Sequence, residues 1–272
     1  MEKTGQKVLF VCSEITPYLP ETPASLIGRY LPQGTQERKK EIRCFMPRYG
    51  CINERKNQLH EVIRLSGMNL IIGGTDHPLI IKVASIAAAH TQVYFIDNEE
   101  YFKRKQVFSD ENGKFFEDND ERAIFFARGV LETVKKLRWA PDIIFCQGWL
   151  SHLLPLYLKK AYKNDPLFAN CKIILALDGN GLDEHFNPDF AQKAVFGEAG
   201  EKDLELLKTP DGINLAKTAA RFSDGVILAS DNLPIGLINY CRDRGLQVLK
   251  YKAKSYTDDS YIGEYNDFFD QF

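Results

Sequence analysis

The stretch from Trp139 to Leu158 constrains the fold of this chain most, because it predicts a buried strand, a tight turn and a helix in succession. Pro141 ends the helix before it, since proline has no amide hydrogen to donate. The apolar run 143–146 is typical of a strand that is buried on both faces of a parallel sheet. After the turn at 147–148, apolar residues return at helical spacing, and Ser151 is the predicted N-cap. The turn therefore lies at the carboxyl end of a parallel strand, where open α/β sheets bind their ligands.

The segments on both sides of this stretch alternate between apolar strands and amphipathic helices. Further strands are predicted at Lys7–Cys12, Ile42–Met46, Lys172–Leu177, Gly225–Ala229 and Gln247–Lys250. Helices are predicted between Pro23 and Pro32 and over 118–138, 151–163, 213–222 and 233–244. This alternation predicts an α/β fold with a doubly wound, mainly parallel sheet. Residues 60–96 differ, since short β segments, including 62–65, surround a predicted hairpin turn at 73–76.

The last stretch, 251–272, mixes aromatic and acidic residues. Its aromatic residues recur at steps of three and four: Tyr261, Tyr265, Phe268, Phe269 and Phe272. That spacing predicts a terminal helix docked on the body of the protein. The alternative is an acidic-aromatic motif that binds a partner. We therefore divide the chain into a domain over 1–250 and a C-terminal segment over 251–272.

Composition argues against several classes of function. The chain has 272 residues and a formal net charge of −2, which gives no reason to expect nucleic acid or a membrane as partner. No apolar run approaches the roughly 18 residues that span a bilayer. Six scattered cysteines without a Cys-x-x-Cys pair predict reduced thiols and a cytoplasmic protein. Five dispersed histidines predict no metal site, and the lack of Gly-x-Gly-x-x-Gly after the first strand predicts no dinucleotide cofactor.

Candidate binding residues lie in the loops that follow the predicted strands, which meet at one edge of a parallel sheet. These loops offer carboxylate, amide, imidazole, guanidinium and aromatic groups: Glu14, Glu21, Arg48, Gln147, Trp149, His152, Asp178, Asp183 and His185. Their mixture suits a sugar better than a phosphate. The alternative gives them structural roles, in which Trp149 caps the core, Arg48 pairs with a carboxylate and His152 is a surface residue. Catalytic residues stay unassigned, because no Gly-x-Ser-x-Gly motif is present.

Six motifs follow one another along the chain: Lys-Val-Leu-Phe-Val-Cys-Ser-Glu-Ile-Thr-Pro from Lys7, Met-Pro-Arg-Tyr from Met46, Val-Tyr-Phe-Ile-Asp-Asn-Glu-Glu-Tyr-Phe from Val93, Asp-Asn-Asp-Glu-Arg-Ala-Ile-Phe-Phe-Ala-Arg from Asp118, Trp-Ala-Pro-Asp-Ile-Ile-Phe-Cys-Gln-Gly-Trp from Trp139 and Asn-Leu-Ala-Lys-Thr-Ala-Ala-Arg-Phe-Ser-Asp-Gly-Val from Asn214. In this order they resemble the N-terminal domain of bacterial glycogen synthases and plant starch synthases. The resemblance implies the Rossmann-like N-terminal half of a GT-B glycosyltransferase. Its expected ligands are ADP-glucose, which donates glucose, and an α-1,4-glucan, which accepts it.

The chain departs from this family at the residues that approach the donor phosphates. The family carries Lys-Thr-Gly-Gly-Leu soon after the first strand, whereas this chain has Pro-Glu-Thr-Pro-Ala-Ser-Leu from Pro20. A carboxylate there repels a diphosphate, and proline removes a donor amide. The family's His-Asp-Trp is Gln-Gly-Trp from Gln147, and its Thr-Ile-His-Asn is Ala-Leu-Asp-Gly from Ala176. The family's second domain, which holds most of the nucleotide-sugar contacts, is expected to be absent.

Two hypotheses about function follow from the resemblance and these departures, beside a third possibility, a purely structural subunit that binds no ligand and forms a stable oligomer. The first is a catalytically degenerate domain, a possible pseudoenzyme, that binds a glucan or a protein partner. It would do so at the strand-end loops around Trp149 or through the face that a second domain would cover. The second is an active glycosyltransferase that uses unconventional residues or a partner chain.

Overall fold

The computed structural model describes residues 5–272, which form one large mixed sheet flanked by helices. Its strands are β1 (Lys7–Cys12), β2 (Glu41–Pro47), β3 (His60–Glu61), β4 (Met68–Ile72), β5 (Thr75–Ile86), β6 (Thr91–Asp97), β7 (Ile143–Gln147), β8 (Lys172–Leu177), β9 (Gly225–Leu228) and β10 (Gln247–Leu249). Its helices are α1 (Pro23–Glu37), α2 (Glu99–Phe102), α3 (Asn119–Leu137), α4 (Leu154–Lys159), α5 (Phe190–Lys193), α6 (Gly212–Arg221), α7 (Ile235–Asp243), α8 (Ala253–Thr257) and α9 (Tyr261–Phe269).

The sheet confirms the predicted doubly wound, mainly parallel architecture. Its strand order is β10-β9-β8-β7-β1-β2-β6-β5-β3, and every neighbouring pair from β10 to β6 is parallel. The order reverses direction at β1, which has β2 on one side and β7 on the other. Such a switch point opens a crevice at the carboxyl ends of the strands, because the connections leave it in opposite directions.

The antiparallel part of the sheet comes from residues 60–97. Strands β4 and β5 form the predicted hairpin, with Ile72 opposite Thr75. Gly73 and Gly74 both have positive φ, at 57° and 82°, which is the backbone that a two-residue hairpin turn requires. The prediction of a strand over 62–65 is wrong. Strand β3 covers only His60–Glu61, and the chain then turns, with the Leu65 amide bonded to the Val62 carbonyl.

Two helices differ from their predicted bounds. Helix α1 does not end before Pro32 but continues through it to Glu37. Its buried face, which includes Ile27 and Leu31, packs on β1, β2 and α9, so tertiary burial outweighs the missing amide of the proline. The helix predicted over 151–163 is a 3₁₀ turn at Trp149–Ser151 followed by the shorter α4. Ser151 does not cap it, because its hydroxyl donates back to the Gly148 carbonyl at 2.7 Å.

The C-terminal residues form α8 and α9 and pack against the body of the protein. Helix α9 lies on α1, and the Phe269 ring is fully buried. Its centroid lies 6.3 Å from that of Phe10 in β1 and 5.8 Å from that of Phe145 in β7. The aromatic spacing of this segment therefore marks a face that is buried in the core. Within residues 5–272, no helix is long and apolar enough to cross a bilayer.

Candidate functional site

The loops after β1, β7, β8 and β9 converge on a cleft at the carboxyl edge of the sheet. Strand register brings them together, since Cys12 pairs with Gln147 and Gln147 pairs with Ala176. An inner cavity and an outer cavity share four lining residues: Glu14, Ala24, Asp178 and Asn180. The inner cavity adds Ser13, Phe108, Gln147, Gly148 and Trp149, and the outer one adds Thr22, Pro23, Ile27, Ala229, Ser230, Asp231, Asn232 and Tyr251. We refer to these two cavities together as the strand-end cleft.

The wall of the cleft next to β1 is the start of helix α1, where the Thr22 and Ser25 amides are already hydrogen-bonded within the protein. Thr22 is the N-cap, and its hydroxyl oxygen accepts a hydrogen bond from the Ser25 amide at 3.0 Å. The Ser25 hydroxyl in turn accepts from the Thr22 amide at 2.8 Å, and Pro23 has no amide hydrogen. The Thr22 hydroxyl donates to the Glu14 carboxylate at 2.7 Å. A carboxylate of the protein itself therefore lies at this helix start, where the helix dipole favours an anion.

Asp178 follows β8 and provides the second carboxylate of the cleft. One of its oxygens accepts a hydrogen bond from the Asn180 amide at 3.0 Å. The other, Oδ2, is buried and has no hydrogen-bond partner among residues 5–272. Burial raises the pKa of Asp178 to about 6, and the nearby charge of Glu14 acts in the same direction. The unpaired oxygen leaves Asp178 able to accept a hydrogen bond from a ligand.

The lining of the cleft is polar and acidic. Three of its side chains are carboxylates, those of Glu14, Asp178 and Asp231, and further polar groups come from Asn180, Ser230 and Asn232. In the part of the chain that the structure describes, neither cavity is lined by a lysine or an arginine. This arrangement suits a neutral ligand rich in hydroxyl groups better than a polyanion.

Gln147 connects the inner cavity to helix α1. Its side chain is almost completely buried, and its Nε2 donates to the Ala24 carbonyl at 3.2 Å. Its Oε1 has no hydrogen-bond partner within the described residues. Gln147 therefore holds β7 against α1 and leaves one acceptor that faces no protein donor.

Trp149 belongs to the wall of the inner cavity and is almost completely buried. Only 2 % of the residue is exposed. The rings of Phe108, Phe115 and Phe186 surround it, with centroids 5.2, 5.3 and 5.5 Å away. Gly181 lies so close that a Cβ there would be 2.6 Å from Trp149 Cδ1. This enclosure agrees with the structural alternative, in which Trp149 caps the core.

His152 is not a surface residue, which corrects the structural role expected for it. It is 2 % exposed, and neither ring nitrogen has a hydrogen-bond partner among residues 5–272. Burial lowers the pKa of His152 to about 3, because the charged form would lose its hydration without gaining a partner. The imidazole is therefore neutral at physiological pH and does not line the cleft.

The remaining candidates lie outside the strand-end cleft. Arg48 follows β2, and its Nε lies 2.8 Å from Glu54 and 3.2 Å from Asp97. It thus pairs with carboxylates, as the structural alternative predicted. Glu21 is exposed and lines neither cavity, and the same holds for Asp183 and His185.

The sequence reasoning missed the part of the cleft that follows β9 and β10. Ser230, Asp231 and Asn232 begin two residues after the end of β9, and Tyr251 comes two residues after the end of β10. The sequence did contain a signal for Ser230, Asp231 and Asn232. They are polar residues that follow a buried strand, so they are expected at the same sheet edge as the residues that follow β8. Among residues 5–272 no group of three or more metal-ligating side chains could hold a metal ion.

Comparisons with known proteins match most of this chain. A family model described as the starch synthase catalytic domain matches residues 7–234. A glycogen synthase from Chlorobium limicola is 36% identical over 225 residues, which are 82% of this chain and 45% of that protein. A glycogen synthase from Pelodictyon phaeoclathratiforme is 37% identical over 262 residues, covering 94% of this chain and 53% of that protein. The chain thus spans about half the length of the curated relatives it matches.

A solved structure has the same fold. The catalytic domain of starch synthase IV from Arabidopsis thaliana, bound to ADP and acarbose, superposes with a TM-score of 0.73. The match covers 90% of this chain and 51% of that chain, at 15% sequence identity. It supports the prediction that the sheet resembles the N-terminal half of a GT-B glycosyltransferase.

Proposed function

Since this chain belongs to the starch synthase catalytic domain family, we propose that its strand-end cleft binds an α-glucan and has lost the contacts that hold a nucleotide-sugar donor. On this proposal the chain is a catalytically degenerate, glycogen-synthase-like domain. Its ligand is neutral and rich in hydroxyl groups, and ADP-glucose is not bound.

The start of helix α1 carries this proposal. The resemblance implies that a Lys-Thr-Gly-Gly-Leu motif approaches the donor phosphates after the first strand. Here the corresponding residues are Pro20 to Leu26, in which Pro23 lacks an amide hydrogen and the Ser25 amide is bonded to Thr22. The Glu14 carboxylate, 2.7 Å from the Thr22 hydroxyl, takes the anion-favouring position at the helix start.

Repulsion between like charges disfavours the binding of a diphosphate at this position. At a separation of about 5 Å and an effective dielectric constant of about 20, two like unit charges repel each other by about 3 kcal/mol. Glu14 and Asp231 are carboxylates on the cleft wall, and Asp178 adds a third, whose pKa burial raises to about 6. A family motif that supplied a lysine and free amides is thus replaced by groups of the opposite sign.

A neutral glucan is not repelled by these carboxylates and can form hydrogen bonds with them in the same cleft. Sugar hydroxyl groups donate hydrogen bonds, amide oxygens accept them, and ionised carboxylate oxygens accept them more strongly than neutral oxygens do. Asp178 lines both cavities and its Oδ2 has no partner in the described chain, so a ligand hydroxyl that reaches this oxygen would satisfy it at no loss of protein bonds. The starch synthase IV domain with the same fold was solved with acarbose as well as ADP, which agrees with a sugar-binding cleft in this architecture.

The second candidate function is an active glycosyltransferase. The curated relatives are glycogen synthases, and the structural neighbour binds ADP, which favours this alternative. Activity would then need donor contacts from unconventional residues or from a partner chain. The first proposal also allows the degenerate domain to bind a protein partner at the sheet edge that carries the cleft.

Calorimetric titration of the full chain with maltoheptaose, ADP and ADP-glucose tests the proposal. We expect heat from maltoheptaose and none from either nucleotide. Asp178→Ala should weaken glucan binding by about tenfold or more, the size expected for one lost charged hydrogen bond. Asp243→Ala, in the exposed last turn of α7, is the matched control and should bind as the wild type does. Binding of ADP-glucose, or transfer of its glucose to glycogen, would overturn the proposal.

Two further statements complete it. We propose a reducing compartment such as the cytoplasm, which is supported by six free cysteines, five of them buried. We also keep the division of the chain at residue 250 as a proposal, with 251–272 acting as a separate C-terminal segment.

A further inference from the structure

Three tyrosines at the C-terminal end of the chain form a continuous stack. The rings of Tyr251 and Tyr256 lie 5.0 Å apart between centroids, with an angle of 25° between their planes. The rings of Tyr256 and Tyr261 lie 5.1 Å apart at 7°. Tyr256 is therefore enclosed between the other two rings, and Tyr251 is the outer ring of the stack.

The stack is fixed to the core of the protein. The hydroxyl groups of Tyr256 and Tyr265 are 2.5 Å apart, and the rings of Tyr261 and Tyr265 meet edge to face at 5.6 Å. Tyr265 is 2 % exposed and contacts Phe145 of β7. The segment that carries the stack is held as well, because Glu264 bonds both Lys252 and Ser255, at 3.0 and 2.9 Å. Tyr251 is thus an aromatic ring held in place before any ligand arrives.

Tyr251 also borders the outer cavity of the strand-end cleft. It is partly exposed, and it shares this cavity with Thr22 and Pro23 of the α1 start and with Asp231 and Asn232 after β9. Tyr256 covers one face of the Tyr251 ring. The ring therefore combines a supported face with a position beside hydrogen-bonding side chains.

We propose that Tyr251 is a stacking subsite for a glucosyl ring of an α-glucan at the mouth of the cleft, with Asp231 and Asn232 binding the hydroxyl groups of that ring. This inference rests on the glucan-binding function proposed above and assigns the residues that carry it at the outer cavity. Tyrosine suits the role because it offers a large rigid surface with little conformational entropy to lose on binding. The stack beneath it lowers that loss further, since the ring is already ordered.

The surroundings of Tyr251 favour a sugar over a nucleotide base. An adenine ring could stack on the same tyrosine, but its diphosphate would then lie in a cleft lined by Glu14, Asp178 and Asp231 without a lysine or arginine among the described lining residues. A glucosyl ring presents its C–H groups to the aromatic face and its hydroxyl groups to the carboxylate and amide beside it. Only the neutral ligand satisfies both features of the outer cavity.

Titration with maltoheptaose tests this subsite by comparing variants of the full chain. Tyr251→Ala should weaken binding by about tenfold, the effect of losing one well-placed aromatic contact. Tyr251→Phe, which keeps the ring and the stack, should stay within about threefold of the wild type. Tyr240→Ala removes a tyrosine of α7 that does not line the cleft, and it should leave binding unchanged.

A second, fluorescent variant keeps the subsite testable if Tyr251→Ala does not fold. Tyr251→Trp keeps an aromatic ring on the stack, and we expect maltoheptaose, but not ADP, to change its emission. If wild type binds maltoheptaose and Tyr251→Ala binds it equally well, the subsite is wrong and the proposed function stands. If wild type does not bind maltoheptaose, the proposed function fails and the subsite with it. Binding of ADP that weakens in Tyr251→Ala would overturn the subsite in favour of a nucleotide-stacking one.

Discussion

Replacing the buried His152 should remove the part of the pH dependence of folding stability that comes from titration of its imidazole. His152 is 2 % exposed and without a hydrogen-bond partner in the described chain, and its pKa is lowered to about 3 by burial. In the unfolded chain a histidine titrates near its ordinary pKa of about 6.5. Below that pH the unfolded state binds a proton that the folded state does not, so folding stability falls as the pH falls from about 6.5 towards about 3.

The size of the effect follows from the two pKa values of His152. With about 6.5 for the unfolded chain and about 3 for the folded one, linkage gives a loss of about 2 kcal/mol between pH 7 and pH 5. His152→Leu removes this titration and replaces an unsatisfied polar side chain by an apolar one. The free energy of unfolding of this variant should therefore fall by about 2 kcal/mol less than that of the wild type over the same interval.

Urea denaturation at the two pH values measures this difference directly. Asp120 and Asp178, whose pKa values are both raised to about 6, titrate in wild type and variant alike, so their effects cancel in the comparison. Leu150→Met, which changes a fully buried neighbour without adding or removing a titratable group, is the control and should keep the wild-type pH dependence. Equal pH dependence in wild type and His152→Leu would refute the reasoning, because it would mean that the imidazole is protonated in the folded protein.

Three other substitutions test the structural account. Trp149→Ala should lower the free energy of unfolding by about 3–5 kcal/mol in chemical denaturation, as expected for a buried aromatic residue; a change of less than about 1 kcal/mol would mean that the ring is exposed. Gly148→Ala should lower the melting temperature measured by circular dichroism, because φ is +80° and the new Cβ would lie 2.3 Å from the Ser13 hydroxyl; an unchanged melting temperature would contradict this backbone. Phe269→Ala should cost about 3–5 kcal/mol of unfolding free energy if α9 belongs to the core, and almost nothing if the segment is loose.

The sheet could be predicted from the sequence because its strands carry their own signal. Continuous apolar runs such as 143–146 arise where both faces of a strand are buried, and that requirement is local. The hairpin turn at Gly73 and Gly74 was predicted for the same reason, since only its own backbone decides it. The end of α1 could not be predicted in this way. Helix α1 continues past Pro32 because it packs against β1, β2 and α9, and the helix propensity of the residues around Pro32 gives no information about these contacts.

The candidate site was predicted only in part. Glu14, Gln147, Trp149 and Asp178 do meet at the cleft, because they lie at the carboxyl ends of the neighbouring parallel strands β1, β7 and β8. Tyr251 was missed, since its place in the cleft depends on the route of the chain after β10. The burial of His152 was also missed, because the 3₁₀ turn before α4 shifts which side chains face the core.

The central claim is that the protein's own groups occupy the position where the family holds the donor phosphates. Calorimetric titration with ADP tests it most directly, using the wild type and a variant that combines Glu14→Gln, Glu21→Lys, Pro23→Gly and Ala24→Gly. This variant removes the Glu14 charge and restores Lys-Thr-Gly-Gly at the α1 start. We predict no ADP binding by the wild type and measurable binding by the variant. Binding of ADP by the wild type, or no binding by the variant, would contradict the account.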